Sequence, residues 1–429
     1  MRIHTVKSGD TLSNIGRQYG VSVDWLVENN QIADPNRLVV GQAIVAPDNP
    51  VQYTIQKGDR LYSIAKRFGT TVDAIVALNR HIADPNRIFP GQRILISAET
   101  VPSRSIISTG YCYPFISEDT LLQALPYLTY VNSFSYNVNR DGSLMPIKDT
   151  NVINTALAGG VAPVMVITNF NEKGAFSSER ASAILNNPAC RKRLIREIET
   201  MMRRKGFRGL DIDFENVYAK DRDAYNKFLK QVVDSLHPHG YIVSSAVPAK
   251  TSDSQTGILV EGVDYAAHGR ILDYVFLMTY DWGYQYGPPM AVAPLDKVEQ
   301  VVKYAVSVMP SKKIVLGIPN YAYDWTLPYK KGDRAKLTML AEAVNLAARH
   351  WSQINFDQTA KTPYFNYEDD KGKQHVVWFD DARSYQAKFE LVDKYNLAGV
   401  GFWNINTQFR PGFLILSSMY TIDKVVLPD

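Results

Sequence analysis

The sequence predicts an α/β protein in which a parallel (β/α)8 barrel follows two small βααβ modules. Three observations support this prediction. The first hundred residues contain a repeat, apolar strand-like runs alternate with helical stretches over the rest, and one strand carries three acidic residues on a single face. With 429 residues, 45% hydrophobic and 21% charged, the chain has the composition of a globular protein and the length for more than one domain.

The repeat consists of two similar copies. Residues 4–30 align with residues 53–79, and the later stretches "IADPNRLVVGQ" and "IADPNRIFPGQ" align in the same way. Each copy predicts a short strand, a Gly-Asp turn, two short helices and, after a second turn, a closing strand. We therefore place two βααβ modules at residues 1–48 and 49–98.

The stretches "SGDTLSNIGRQYGVS" and "KGDRLYSIAKRFGTT", followed by an asparagine and a "GQ" turn, closely resemble the LysM family. This resemblance implies modules that bind glycans containing N-acetylglucosamine, such as peptidoglycan and chitin. The alternative is that both modules only cap the rest of the protein. Two weak sites on one chain would gain by effective concentration on a polymer. The resemblance implies a groove between the first turn and the loop before the last strand, formed by Gly9, Asp10, Thr11, Ile32, Gly58, Asp59 and Ile82.

A second pattern begins after the repeat and runs to the end of the chain. The stretch "SAETVPSR" (97–104) is typical of a linker, and eight apolar strand-like segments then alternate with amphipathic helical stretches. This alternation predicts a (β/α)8 barrel, which we place at residues 99–429. The gap before the eighth strand is too long for one crossover, so we expect a small α+β insertion at about residues 326–385. Its "DDKGK" stretch predicts the turn of a β-hairpin.

The stretch "GLDIDFEN" (209–216) carries the most specific chemical signal. Side chains of a strand alternate in direction, so Asp211, Asp213 and Glu215 share one face and the apolar residues between them share the other. In a barrel the acidic face points inward and rises toward the C-terminal mouth, where catalytic residues of this fold lie. The Cα atoms of neighbouring acidic residues on one face are only about 6.6 Å apart. We therefore expect a raised pKa within the row and a Glu215 that stays protonated near neutral pH, as a general acid requires.

The row also constrains the reaction. A conventional retaining glycosidase needs a second carboxylate about 5–5.5 Å away, across the scissile bond. Carboxylates on one strand approach from one side only, so either another strand or the 2-acetamido group of the substrate must supply the nucleophile. A metal site is the main alternative for an acidic cluster, but metal-binding loops usually present ligands in several directions. A purely structural row is disfavoured because burying charge is costly.

This strand resembles the D-x-D-x-E signature of family 18 glycoside hydrolases, and "LMTYDWG" (277–283) and "GFWN" (401–404) match two further strands of that family. The resemblance implies that Glu215 protonates the leaving oxygen, that Asp213 orients the acetamido group as it cyclises, and that Asp211 holds Asp213. It further implies that the Tyr280 hydroxyl forms a hydrogen bond with the acetamido carbonyl. The other pocket residues that it implies are Met278 and Asp281 as lining and Trp403 as the floor.

Further side chains at predicted strand ends are candidates for substrate contact, although aromatic residues there are often core fillers. These candidates are Tyr111, Tyr136, Tyr321, Asn169 and Asn216, the last of which follows the acidic row directly. Asn216 stands where many relatives have a tyrosine, and Arg208 stands where many have a further acid. Both departures argue against assuming that the substrate is chitin.

The whole arrangement resembles the spore cortex-lytic N-acetylglucosaminidases of endospore-forming bacteria. This resemblance implies action on peptidoglycan fragments during germination and a location in the coat and cortex region, reached without a classical signal peptide. The alternatives are a chitinase or endo-N-acetylglucosaminidase, or a catalytically silent glycan-binding protein.

Composition and charge narrow the possible partners. The net charge of +4 comes without a basic tract interleaved with aromatic residues, so we expect no nucleic-acid partner. No apolar stretch reaches the length of a membrane span, so membrane insertion is not expected. The two cysteines, Cys112 and Cys190, suggest neither a disulfide framework nor a metal site. We expect a monomer without cofactor or metal.

Overall fold

Eight parallel strands close into a barrel in the larger part of the chain. The computed structural model describes residues 1–48, 50–82, 84–97, 102 and 104–425. The predicted linker at 97–104 therefore lies mostly outside the described residues.

Each N-terminal module is a two-stranded antiparallel sheet covered by two helices. The first strand of a module pairs with its last strand. Thr11 accepts a hydrogen bond from the Asn14 N–H and begins the first helix, which ends at Gly20 with a φ of 68°. The elements of the first module are β1 Arg2–Thr5, α1 Leu12–Tyr19, α2 Val23–Asn29 and β2 Ala43–Ala46, and those of the second are β3 Pro50–Thr54, α3 Leu61–Phe68, α4 Val72–Leu78 and β4 Arg93–Ser97.

The barrel confirms the predicted fold class. Its strands pair in sequence order, and the eighth pairs with the first to close the sheet. Almost all residues of these strands are buried, as expected for a parallel sheet covered by helices. The strands are β5 Ser105–Cys112, β6 Tyr130–Asn137, β7 Ala162–Thr168, β8 Gly209–Asp213, β9 Ile242–Pro248, β10 Tyr274–Met278, β11 Ile314–Pro319 and, after an insertion, β17 Gly399–Trp403.

The helices around the barrel each bury one face. In the longest of them, the apolar residues recur every three or four positions, and Leu194, Ile198 and Met202 are fully buried. The Asn187 side chain caps this helix, and Gly206 ends it with a φ of 83°. The helices are α5 Glu118–Ala124, α6 Thr150–Ala158, α7 Ser178–Leu185, α8 Pro188–Lys205, α9 Arg222–Leu236, α10 Tyr265–Ile271, α11 Leu295–Val308, α13 Ala382–Lys394 and α14 Arg410–Met419. Strand β18 Thr421–Ile422 pairs with β5.

The insertion between the seventh and eighth barrel strands is a five-stranded antiparallel sheet with one helix. Its first strand begins at Ala322, slightly before the predicted start. The expected hairpin is formed by residues 362–378 around the "DDKGK" turn. The elements are β12 Ala322–Thr326, β13 Lys336–Thr338, α12 Leu340–Arg349, β14 Asn355–Asp357, β15 Thr362–Glu368 and β16 Gln374–Trp378.

The first module packs directly on the barrel. Its core residues belong to the same continuous apolar cluster as the outer layer of the barrel, whereas most core residues of the second module form a separate cluster. The buried Arg410 side chain joins all three units, because its Nε bonds Asn29 Oδ1 at 2.6 Å and its terminal nitrogen bonds Ala77 O at 2.8 Å. In the described part of the chain, no helix is long and apolar enough to cross a membrane.

Candidate active site

The three carboxylates lie where the strand alternation predicts. Strand β8 ends at Asp213, and Glu215 follows two residues later at the C-terminal mouth of the barrel. Leu210, Ile212 and Phe214 are completely or almost completely buried in the layer between strands and helices. The acidic side chains therefore point into the barrel.

Asp211 is the deepest and best-bonded member of the row. Its two oxygens accept hydrogen bonds from the Tyr111 hydroxyl at 2.8 Å and from the Ser244 hydroxyl at 2.6 Å. Burial raises the pKa of Asp211 to about 6, and these two bonds oppose the rise. Asp211 is thus a fixed carboxyl group at the base of the row.

The carboxyl groups of Asp213 and Glu215 lie close enough for the charge of Glu215 to act on Asp213. Burial, followed by repulsion from Glu215 and Asp211, holds the pKa of Asp213 well above its usual range. Burial and the nearby Asp281 raise the pKa of Glu215 to about 7. Among the described residues, Asp213 Oδ1 is buried and has no hydrogen-bond partner. The Asp213–Glu215 pair therefore retains a proton up to about neutral pH, and Asp213 Oδ1 is an acceptor that no protein group satisfies.

Glu215 is held through its backbone. The Asn169 side chain is completely buried, accepts a hydrogen bond from Glu215 N–H at 3.0 Å and donates one to Glu215 O at 2.9 Å. Its amide also donates to Ser177 O at 3.0 Å. Asn169 thus fixes the segment beyond the end of β8 on which the glutamate stands.

Residues from the sixth strand complete the charged part of the site. Asp281 follows β10, and one of its oxygens accepts a 2.6 Å hydrogen bond from the Tyr321 hydroxyl. Burial by the surrounding walls raises the pKa of Asp281, and this bond opposes the rise. Burial and the surrounding carboxylates hold the pKa of Tyr280 well above its usual range, so its hydroxyl keeps its proton.

A cleft of about 810 Å³ opens above these groups. This volume lies within the usual range for a small-molecule or oligosaccharide site. Mostly apolar and aromatic side chains converge there with a few polar groups. The predicted residues that line it are Tyr111, Asp213, Glu215, Met278, Tyr280, Asp281 and Trp403, and the unpredicted ones include Tyr113, Phe134, Phe170, Phe176, Trp282 and residues 255–260.

Trp403 is fixed by other rings. Its ring meets Phe134, Tyr111 and Tyr113 edge-on, with centroids 4.7, 5.7 and 6.0 Å away. Three neighbours in T-shaped contact restrict the ring to one orientation in the cleft wall. A rigid indole face is a suitable platform for the apolar face of a pyranose ring.

The structure corrects the prediction for Tyr136. Regular alternation would put it on the same face as Phe134, but the register of β6 against β7 shifts between Ser133 and Tyr136. Phe134 lines the cleft, whereas the buried Tyr136 hydroxyl bonds Asp149 at 2.8 Å and accepts a bond from Lys205. A strand irregularity of this kind cannot be read from residue spacing.

Three other predicted contacts also lie outside the cleft lining. Asn169 and Tyr321 stand behind it, where they hold Glu215 and Asp281 respectively. Asn216 has a φ of 55°, and its amide is 3.5 Å from Phe176 O. Asn216 thus contacts the backbone of Phe176 and is not part of the cleft lining.

The polar residues of the two predicted module grooves support the turns themselves. Asp10 Oδ2 accepts from the Lys7 N–H at 2.7 Å, and Asp59 Oδ2 accepts from the Gln56 N–H at 2.8 Å. Gly9 and Gly58 adopt φ values of 88° and 90° in these turns. The outer edge at Thr11 is exposed, whereas Ile32 and Ile82 are buried in their modules.

Comparison with known proteins decides the family. Residues 117–408 match "Glycosyl hydrolases family 18", and residues 4–47 and 53–97 each match the LysM domain. The first match contains the acidic row, Tyr280 and Trp403. The chain belongs to family 18 of the glycosyl hydrolases. It is therefore a glycosidase, and its two N-terminal modules are LysM domains.

Full-length relatives have the same arrangement. The chain is 41% identical over 431 residues to the "Cortical fragment-lytic enzyme" of Bacillus subtilis (strain 168), with 99% of each chain covered. A solved structure of the spore cortex-lytic enzyme SleL from Bacillus megaterium superimposes with a TM-score of 0.84 at 36% identity, again covering 99% of each chain. Part of the chain is also similar in fold to a chitinase from Chromobacterium violaceum, with a TM-score of 0.68 at 24% identity, over 74% of this chain and all of that one.

Proposed function

We propose that this family 18 enzyme cleaves peptidoglycan, in spore cortex or its fragments, after N-acetylglucosamine. The similarity to cortex-lytic proteins over 99% of the chain supports this substrate. The two LysM domains and the glycan-sized cleft support it independently. We further propose a spore-associated monomer that acts during germination, with one barrel and two LysM units as its domains.

The observation that carries the mechanism is the pairing of a protonated Glu215 with an unsatisfied Asp213. The Glu215 carboxyl proton passes to the leaving glycosidic oxygen. As that bond breaks, the acetamido oxygen of the same sugar attacks the anomeric carbon and forms an oxazolinium ion. Asp213 accepts a hydrogen bond from the acetamido N–H, and Tyr280 donates one to the acetamido oxygen before it cyclises.

The second half returns the proton. Glu215, now a carboxylate, takes a proton from water as the water oxygen attacks the anomeric carbon and opens the oxazolinium ring. The two inversions give a product with retained configuration. Asp281 is disfavoured as an alternative nucleophile, because its pKa is raised and one of its oxygens is held by Tyr321.

Digestion of purified spore cortex tests the substrate and the bond. The full chain and its Glu215→Gln variant are incubated with cortex, and the released fragments are analysed by mass spectrometry. Fragments ending in reducing N-acetylglucosamine, from the wild type alone, are expected. Reducing muramic ends would refute the proposed bond, and binding without products from either protein would favour a glycan-binding protein. Chitin digested better than cortex would favour a chitinase.

Inhibition tests the substrate-assisted step. A thiazoline derived from N-acetylglucosamine copies the fused ring of the oxazolinium ion, so we expect competitive inhibition. A substrate whose sugar at the cleavage site lacks the N-acetyl group should remain intact. Equal cleavage of the deacetylated substrate would point instead to a nucleophile supplied by the protein.

A further inference from the structure

The two LysM domains have the same fold but different surroundings. The turn that precedes the last strand of the first domain is in contact with the barrel insertion. Ile354 N–H donates to Val40 O at 2.9 Å, and Arg383 donates to Gly41 O at 3.0 Å. A side chain added at Gly41 would lie 1.8 Å from Ile354 O, whereas nothing lies within 4 Å at the equivalent Gly91. This turn is therefore covered in the first domain and open in the second.

The loop after the second helix of the first domain is also bonded to the barrel. Ala33 N–H donates to Asn345 Oδ1 at 3.0 Å, and the Asn345 amide donates to Gln31 O at 3.3 Å. The Gln31 side chain donates to Gln408 O at 3.0 Å and accepts from Arg410 N–H at 2.9 Å. These polar groups would have to leave the barrel before they could bind a glycan.

The sequence differs between the domains where their surroundings differ. Phe89 of the second domain is 63% exposed, whereas its counterpart Val39 is 4% exposed. Tyr62 is 73% exposed and replaces Ser13 of the first domain. The exposed ring of Phe89 thus occupies a position that is buried in the first domain, and the exposed ring of Tyr62 occupies one where the first domain has a small, exposed serine.

Charge follows the same division. The second domain has seven basic residues against three acidic ones, an excess equal to the net charge of +4 of the whole chain. The first domain has four basic and five acidic residues. All the bases of the second domain are exposed, and they are Lys57, Arg60, Lys66, Arg67, Arg80, Arg87 and Arg93.

Two of these basic residues lie close to the exposed rings of Tyr62 and Phe89. Lys57 and Arg60 lie in the turn that leads to Tyr62, and they form no ion pair within the described part of the chain. The turn that carries Phe89 is hydrogen-bonded to both backbone groups of Ile55, two residues before Lys57. We call Lys57, Arg60, Tyr62 and Phe89 the second-domain patch.

We infer that the second LysM domain binds the polymer through the second-domain patch, and that the first LysM domain has a structural role, which is to attach the second domain to the barrel. The partner that suits the patch is a glycan carrying carboxylates, such as the peptide-bearing chains of peptidoglycan. Sugar faces stack on the two rings, and carboxylates of the peptide stems meet the two bases. The choice of partner rests on the proposed function.

Binding to insoluble peptidoglycan tests the inference. The full chain carries Glu215→Gln so that the polymer is not digested. The patch variant receives the residues of the first domain at the equivalent positions, namely Lys57→Ser, Arg60→Thr, Tyr62→Ser and Phe89→Val. The matched control, Lys7→Ser, Ser13→Ala and Arg17→Ser, removes two positive charges from the first domain.

We expect the patch variant to bind at least tenfold more weakly and with less dependence on salt, whereas the control stays within twofold of the parent. On chitin, which lacks carboxylates, the loss should be smaller. The inference is overturned if the control loses as much, if the patch variant binds normally, or if the loss on chitin is equal.

A second measurement separates this inference from the proposed function. With Glu215 restored, the patch variant should hydrolyse a small soluble chromogenic N-acetylglucosamine oligosaccharide at the parental rate, which also verifies folding. Cortex digestion by the parent together with patch-independent binding would overturn the inference alone. Failure of the parent both to bind and to digest peptidoglycan would overturn the two together.

Discussion

The side-chain amide of Asn169 forms hydrogen bonds with both backbone groups of Glu215, at 3.0 and 2.9 Å. The last backbone pair between β7 and β8 joins Thr168 to Asp213. Beyond that point the strands separate, and the Asn169 amide takes the place of the next peptide group. Both backbone groups of Glu215 are thereby hydrogen-bonded, as they would be within a sheet, while its side chain lines the cleft.

Asn169 is thus a positioning residue, and we expect Asn169→Ala to lower kcat by roughly tenfold to a hundredfold with little change in KM. Asn169→Asp keeps an acceptor for Glu215 N–H but loses both donated hydrogen bonds. Its kcat should therefore lie between those of Asn169→Ala and the wild type. Steady-state kinetics on a soluble oligosaccharide measure both effects.

Asn171→Ala is the matched control, because the Asn171 side chain is also hydrogen-bonded to the backbone, accepting from Lys173 N–H and Ala175 N–H, but in an exposed turn. It should leave kcat unchanged. A similar loss of kcat in both variants would mean that loosening the loop, and not the bonds to Glu215, is responsible.

Activity should fall as the pH rises through about 7, because Glu215 then loses the proton that it must donate. Asp281→Asn removes a neighbouring negative charge and therefore lowers the pKa of Glu215. The alkaline limb of kcat/KM should move to lower pH in this variant. An Asp234→Asn substitution on the outer helix α9 should not move it, and an unmoved limb in Asp281→Asn would show that Asp281 does not act on Glu215.

Local alternation makes part of the site predictable from sequence. The face of a strand follows from residue spacing, so the acidic row is evident from the order of the residues alone, and Tyr280 and Trp403 follow from family resemblance. The prediction for Tyr136 is wrong because a register shift in β6 interrupts the alternation. Phe170 and Phe176 lie in the loop between β7 and α7, where they bridge each other outside any periodic element that residue spacing could reveal. The docking of the first LysM domain is not predictable from spacing either, because its apolar contacts join residues that are far apart in sequence.

The contribution of Glu215 to stability should change with pH in the opposite direction from that of an ordinary ion-paired carboxylate. Its folded pKa of about 7 lies above the unfolded value near 4.5, so the folded state binds more protons between these pH values. The free energy of unfolding therefore falls as pH rises through this window. Glu215→Gln removes the effect and should be more stable than wild type at pH 8 by up to about 3 kcal/mol.

Urea unfolding of both proteins at pH 4.5 and pH 8 measures this difference. The advantage of the variant should be large at pH 8 and nearly absent at pH 4.5, where wild-type Glu215 is protonated in the folded state. Equal differences at the two pH values would mean that repacking, and not the charge, sets the stability.

Arg410 should control the attachment of the LysM domains to the barrel. Its buried side chain satisfies Asn29 Oδ1 and Ala77 O, one in each domain. Arg410→Ala leaves both acceptors without this donor, at a cost of about 2–4 kcal/mol. The domains should then be released faster in limited proteolysis, and digestion of insoluble peptidoglycan should slow while hydrolysis of a small soluble substrate is unchanged. Arg349→Ala breaks an exposed ion pair with Glu342 and serves as the control. If it released the domains equally fast, the buried contacts of Arg410 would not be what holds the three units together.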